Sequence, residues 1–312
     1  KQYPVLTIVG PRQSGKSTLC SLAFPKLPIV NLELPDLRAR ISADPRAFIA
    51  SHQNGVIIDE IQYLPELTSY IQVAADDRKR NGEFILTGSR QFQLMQSVSQ
   101  SLAGRTAILR LLPLSLAELS PTKYQARSLN EQIFTGGYPR IIVEGLNPSQ
   151  AISFYVQTYI ERDVRQIINI RDLSLFERFL RLCAARSGQL LNSTNLGNET
   201  GVNQSTIREW LSVLETSFII SRVQPHHNNL SKRITKSPKI YFLDTGLLCY
   251  LLGITTPQHL EFHPLRGEII ETFVASELIK AIYNSGKNDP IYFFRDSAGH
   301  EVDFLIDRGR AV

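Results

Sequence analysis

The segment Gly10-Pro11-Arg12-Gln13-Ser14-Gly15-Lys16-Ser17 follows the spacing G-x-x-x-x-G-K-[ST] in full. Its chemistry follows from the residue types. Gly10 and Gly15 let the backbone turn so that the N–H groups of Pro11's successors Arg12, Gln13 and Ser14 face an anion. A helix opening at Lys16 adds its positive dipole end. Lys16 carries a mobile cation to the outer phosphates of a nucleotide, and the Ser17 hydroxyl suits a divalent ion such as Mg2+. Thr18 follows as a helix residue on the α-phosphate side of the same cradle.

A second pattern, Val56-Ile57-Ile58-Asp59-Glu60, is an apolar run that ends in paired acids. At the carboxyl end of a strand beside a phosphate loop, Asp59 is placed to hold a water of the Mg2+ shell and Glu60 to act as general base on an attacking water. Phe84-Ile85-Leu86-Thr87-Gly88-Ser89 is another short apolar run, closed by hydroxyls. Thr87 or Ser89 would orient that water or sense the γ-phosphate. Arg105, after Gly104, could offer its guanidinium to the γ-phosphate of a neighbouring copy, with Arg90 as the rival for that role.

These groups need a scaffold, and the first 120 residues supply an α/β pattern. Strands are expected at Val5–Val9, Ile29–Leu32, Val56–Ile58 and Phe84–Leu86, with a helix over Lys16–Ala23. Short, continuous apolar runs suit a parallel sheet buried on both faces. Beyond Leu114 the pattern becomes helical, with a long helical stretch expected from about Pro148 to Ala185. The expected organisation is a parallel-sheet core over 1–120, a helical lid over 121–186, a winged helix-turn-helix over 187–255 and a small α/β C-terminal domain over 256–312.

The chain has 312 residues, 43% hydrophobic and 20% charged, a balance that excludes disorder and collagen-like structure. No apolar run approaches the length of a membrane span. Cys20, Cys183 and Cys249 lack a C-x-x-C spacing, so neither a disulfide framework nor a zinc site is expected, and a reducing cytoplasm is the expected location. No secretory signal opens the chain, and without an initial Met the native start is expected upstream. The net charge of +5 permits nucleic-acid binding without requiring it.

The order of these motifs, with Leu102-Ala103-Gly104-Arg105 and Leu114-Ser115-Leu116-Ala117-Glu118, resembles a prokaryotic family of AAA-type ATPases joined to a C-terminal domain of unknown function. The resemblance continues through Gly136-Gly137-Tyr138-Pro139, Tyr159-Ile160-Glu161-Arg162-Asp163-Val164, the segment Ser237–Leu247 and Gly299-His300-Glu301-Val302-Asp303-Phe304, so it covers almost the whole chain. It implies an AAA-type ATPase core that binds ATP or ADP with Mg2+. At Arg90 the chain departs from the small polar residue more usual in the family, which bears on the neighbouring sensor assignment.

In the stretch from Asn192 to Leu211, two short helices flank a turn at Gly201. Asn203 caps the second helix, and Val202, Ile207, Trp210, Leu211 and Leu214 form its buried side. Gln204, Ser205, Arg208 and Glu209 face outward as groove readers, and Lys232, Arg233, Lys236 and Lys239 form a basic wing suited to phosphates. The competing reading is packing or contact with a protein partner. The tail resembles the start of a restriction-endonuclease-like core, with Glu268, Glu271 and Glu277 on a helix and Asp303 on a hairpin, but no E-x-K follows Asp303. Glu301 and Asp303 then read as ordinary acids on a half-exposed strand, or as part of an inactive relic of that fold. His259 and His263 lack a third ligand and are set aside as a metal site.

The leading expectation is an ATP-hydrolysing machine or switch, in which a homo-oligomer would let Arg105 act in trans. The alternatives are a slow-turnover, nucleotide-regulated binder of double-stranded DNA or protein, and an ATP-gated nuclease completed by an E-x-K beyond Val312.

Overall fold

The computed structural model describes residues 2–89, 101–160, 172–226, 237–287, 289–296 and 299–307. The chain divides into two compact units, Lys1–Leu112 and Pro113–Val312.

The first unit runs β1 (Val5–Val9), α1 (Lys16–Ala23), β2 (Ile29–Asn31), α2 (Pro35–Ala43), α3 (Pro45–Ser51), β3 (Val56–Asp59), α4 (Leu67–Arg78), β4 (Phe84–Gly88) and β5 (Thr106–Arg110). Its strands pair in parallel in the order β2-β3-β4-β1-β5. The central strands form because their runs can be covered on both faces: Val56, Ile57, Ile58, Phe84, Ile85 and Leu86 are all fully buried. Each such side chain contributes about 1.5–3 kcal/mol of burial. On one face Cys20 of α1 packs with Ile8, Ile57 and Ile85, which fixes α1 against the sheet. Helices α2 and α3 both open with Pro, and Asp44 caps α3 by accepting from the Ala47 amide.

The strand order brings the functional ends together. β4 lies between β1 and β3, with Val9 opposite Gly88 and Ile58 opposite Leu86. Since all run the same way, the loop after β1, the acids after β3 and the hydroxyls at the end of β4 emerge on one edge, the carboxyl edge where open α/β sheets bind ligands.

The second unit runs α5 (Leu116–Leu119), α6 (Leu129–Thr135), α7 (Pro139–Glu144), α8 (Pro148–Tyr155), α9 (Leu173–Ala184), α10 (Ser193–Thr200), α11 (Gln204–Thr216), β6 (Ile220–Pro225), β7 (Lys239–Phe242), α12 (Thr245–Leu251), α13 (Arg266–Asn284), β8 (Ile291–Arg295) and β9 (Glu301–Ile306). The described residues of the helical stretch over 148–185 form helical segments, with a new start at Asp172. Asp172 is extended, and its carboxylate caps a new helix by accepting from the Ser174 and Leu175 amides. One hydrophobic core runs from Ile133 to Phe273, with Phe176 and Phe179 set edge-on to Trp210 at 5.3 and 5.2 Å between ring centroids.

The helix pair α10–α11 turns at left-handed Gly201, and the Asn203 side chain accepts from the Thr206 amide. Ile207, Trp210, Leu211 and Leu214 are buried, while Arg208 and Glu209 are exposed. The four-stranded sheet has the order β7-β6-β8-β9, with β6 antiparallel to β7 and parallel to β8. One sheet therefore spans the division expected between 187–255 and 256–312.

The Gly136-Gly137 pair has a structural cause. Asp244 caps α12 through the Leu247 amide and also accepts from the Gly137 amide at 2.8 Å. A Cβ on Gly136 would lie 2.6 Å from that carboxylate, and one on Gly137 would lie 2.3 Å from the Leu114 carbonyl oxygen. Burial pushes the Asp244 carboxyl up, against the opposing pull of Lys280 and the backbone amides.

Candidate nucleotide site

Glycine serves the phosphate loop in two different ways. Gly15 is left-handed at φ 91°, the turn that aims the following helix. Gly10 is needed for close approach: a Cβ there would lie 2.0 Å from the carbonyl oxygen of Leu111. Gln13 also holds a left-handed conformation, at φ 63°, a strain of the kind found where a loop is shaped around a ligand.

Lys16 lies at the start of α1 and is 5% exposed. Its ammonium donates to the carbonyls of Gly10 at 3.0 Å and Pro11 at 2.8 Å, which holds it across the loop. Burial pulls its pKa below the ordinary lysine value, and Glu60 and Asp59 pull in the opposite direction. Ser14 is buried, and among the described residues its hydroxyl has no partner. Arg12 reaches Glu33 at 3.4 Å, and Thr18 is exposed on α1.

The loop and the acids are joined directly. Ser17 Oγ donates to Asp59 Oδ2 at 2.9 Å, and Thr87 Oγ1 donates to Asp59 Oδ1. The same Thr87 oxygen accepts from the Glu60 amide at 3.2 Å. Thr87 thus positions both acids, a role distinct from the expected one of orienting a water. Glu60 is left-handed at φ 57° and begins a single helical turn, Ile61–Tyr63. Its Oε2 accepts from the Ser89 amide at 3.2 Å, from Ser89 Oγ at 2.9 Å and from Gln62 Nε2. Burial opposes the charged form of Glu60, but Lys16, the hydrogen bonds of Gln62 and Ser89, and Arg12 outweigh it. The carboxyl is held below its ordinary range.

The set fits a magnesium nucleotide. Ser17 and Asp59 are hard oxygen donors suited to Mg2+, Lys16 supplies the cation, and Ser14 offers an unused hydroxyl. Among the sequence expectations, Lys16, Ser17, Asp59, Glu60, Thr87 and Ser89 come together. Gln62 joins them unforeseen, and its only sequence signal is its place on the turn after the acids.

Other expected residues lie elsewhere. Arg105 makes a two-pronged bond to Asp76, Nε to Oδ1 at 2.6 Å and Nη2 to Oδ2 at 2.9 Å. Arg90, Lys232, Arg233 and Lys236 fall outside the described residues, as does the segment 161–164. Lys239 is not a solvent-facing wing residue. It is 4% exposed, and its ammonium meets Glu301 at 2.5 Å, Glu271 at 2.9 Å and Asp303 at 3.7 Å. Burying an ammonium requires such partners, so the carboxylates draw it inward and leave it unavailable for phosphates. It lines a cleft of about 1170 Å³ with Glu268, Glu271, Arg295, Glu301 and Asp303. The lysine beside Asp303 therefore comes from β7. Among the described residues, no group of three or more His, Cys, Asp or Glu side chains is arranged to hold a metal ion. The His259 and His263 rings stack edge-on at 5.7 Å. No helix among the described residues is long and apolar enough to cross a membrane.

Comparison with known proteins gives three family matches: an AAA domain over 2–120, a domain of unknown function (DUF8612) over 126–258 and another (DUF4143) over 266–312. The uncharacterized proteins Rv2008c of Mycobacterium tuberculosis and Mb2031c of Mycobacterium bovis are each 30% identical over 307 residues, which is 97% of this chain and 68% of the relative. Among solved structures, a RuvB variant from Thermotoga maritima is 21% identical with a TM-score of 0.35, over 70% of this chain and 82% of its own. A STAND protein with a tetratricopeptide-repeat sensor from Pyrococcus horikoshii is 14% identical with a TM-score of 0.31, over 91% and 48%.

Proposed function

The chain belongs to the family of the mycobacterial proteins Rv2008c and Mb2031c, with an AAA domain at its head, and from that premise we propose that it hydrolyses Mg-ATP as a molecular switch. The observation that carries the reading is the hydrogen-bonded path from Ser17 through Asp59 and Thr87 to the Glu60 backbone, which joins the phosphate loop to a carboxylate held in its charged form.

Each residue has a task. The loop amides and Lys16 would hold the β- and γ-phosphates, and Ser17 and Asp59 would hold Mg2+. Mg2+ when bound offsets phosphate charge. Glu60 takes a proton from water as the water oxygen bonds to the γ-phosphorus. The bond from that phosphorus to the bridging oxygen breaks, and ADP leaves with its electron pair. Arg105 would serve a neighbouring copy only after leaving Asp76.

A slower, binding-dominated switch is favoured by the positions of Lys16 and Glu60. Lys16 is bonded to its own loop and Glu60 Oε2 is fully engaged, so Lys16 must exchange partners to serve phosphate. The test is steady-state phosphate release from ATP with and without Mg2+ and duplex DNA. Mg2+-dependent release supports the hydrolase, and stimulation by DNA identifies the output; tight ATP binding without release supports the slower switch.

A further inference from the structure

The amide of Gln62 is the one side chain on the acid-bearing turn whose role neither motif explains. It is 8% exposed, and it sits on the single turn that Glu60 begins with its left-handed backbone. That turn folds Gln62 back over the residue two places before it, and Nε2 donates to Glu60 Oε2. The orientation of the amide is dictated chemically: an ionised carboxylate only accepts, so the nitrogen must face Glu60 and the oxygen must point away.

Two consequences follow. All the donors to Glu60 converge on Oε2, from the Ser89 amide, Ser89 Oγ and Gln62, so among the described residues Oε1 receives none. The other end of Gln62, Oε1, is buried and lacks a hydrogen-bond partner among the described residues. A buried amide oxygen without a donor costs about 1–3 kcal/mol.

We propose that Gln62 is a positioning residue for hydrolysis: its amide nitrogen fixes Glu60 through Oε2, leaving Oε1 to take the proton. The proposal rests on the hydrolase reading and specifies how the base is aligned. Ser89 supplies the second anchor. Gln62 Nε2 also lies 3.5 Å from Ser89 Oγ, so the two anchors brace one another across the β3 and β4 ends.

The test uses the full chain with Gln62→Met, which keeps the volume and removes both polar ends, and Gln62→Glu, which keeps the shape and adds a charge beside Glu60. Gln62→Met is expected to bind a fluorescent ATP analogue within about threefold of wild type. Its kcat should fall about 10–100-fold with little change in KM, and the acid limb of its kcat–pH profile should move to higher pH. Gln62→Glu should move that limb further in the same direction. A filler of core space would change stability and leave the acid limb in place. Wild-type kcat and an unmoved limb in Gln62→Met overturn the proposal. Selective 13C labelling of glutamate carboxyls reads the Glu60 titration without turnover. An upward shift of the Glu60 midpoint in Gln62→Met supports the anchor even if the protein hydrolyses no ATP, an outcome that would overturn the hydrolase reading alone. An unchanged midpoint overturns the anchor whatever the turnover.

Discussion

Ser17 Oγ donates to Asp59 Oδ2 across 2.9 Å, joining the last residue of the phosphate loop to the strand that carries the acids. The two residues therefore share one task. Ser17→Ala and Asp59→Asn should each raise the Mg2+ concentration for half-maximal turnover by about 10–100-fold, the cost of a disturbed ligand shell. Magnesium titration of ATPase activity reads this, and unchanged titrations in both variants would remove these residues from the metal site.

Lys16→Ala removes a buried cation that bridges the Gly10 and Pro11 carbonyls. Turnover should fall by about 10²-fold or more, since the outer phosphates lose their compensating charge. A folded Lys16→Ala protein with wild-type binding and turnover would defeat the ATPase assignment.

Glu60→Gln keeps the shape of the base but cannot take the proton. ATP binding should persist while kcat drops about 10²–10⁴-fold. Wild-type turnover in this variant would mean that another group takes the proton. In the wild type, the depressed Glu60 pKa has a defined sign: the base stays ionised above its lowered value, so the acid limb should fall below the ordinary glutamate value of 4.5.

Gly10→Ala places a methyl group 2.0 Å from the Leu111 carbonyl oxygen, where only a backbone shift gives relief. The expected cost is about 1–3 kcal/mol, together with weakened nucleotide binding. Thermal unfolding and nucleotide titration check the two effects separately.

The sheet and the phosphate loop were legible because their signals are local: short apolar runs, fixed glycines, acids at strand ends. Three features were not. Lys239 follows a basic stretch and reads as part of it; its burial is decided by Glu271 and Glu301, far along the chain, which sequence spacing does not bring near. The helical stretch expected over 148–185 carried no mark of its internal start, where the structure uses the Asp172 carboxylate as a cap. Gln62 was silent because an amide beside an acid has no signature until the left-handed turn at Glu60 folds it back.

Lys239 offers a prediction on stability. Its ammonium is held above the usual lysine pKa: desolvation opposes the charge, but the hydrogen bonds and charges of Glu301 and Glu271 outweigh it. Lys239→Met would take the ammonium from these half-buried carboxylates, leaving Glu271 the Tyr241 hydroxyl and Glu301 the Arg295 guanidinium, at a cost of about 1–3 kcal/mol. With a raised folded value, the contribution of Lys239 is fully present below the ordinary 10.5 and is lost as pH rises through the folded value. The gap in melting temperature between wild type and variant should hold steady from neutral pH and narrow only in strong alkali. A gap that closes between pH 7 and 9 would show that another group sets it.

The parallel pairing of β6 with β8, Gln224 opposite Tyr292 and Pro225 opposite Phe293, has a consequence for synthesis. A nascent chain presents β6 and β7 to the cell before α13 and β8 exist. At roughly 5–20 residues per second, the outer edge of β6 waits several seconds for its partner. During that interval it is an open template for other strands. A ribosome stalled before Ile291 should therefore carry a chain whose second unit is sensitive to protease and prone to associate, and release of the remaining segment should cure both faults at once.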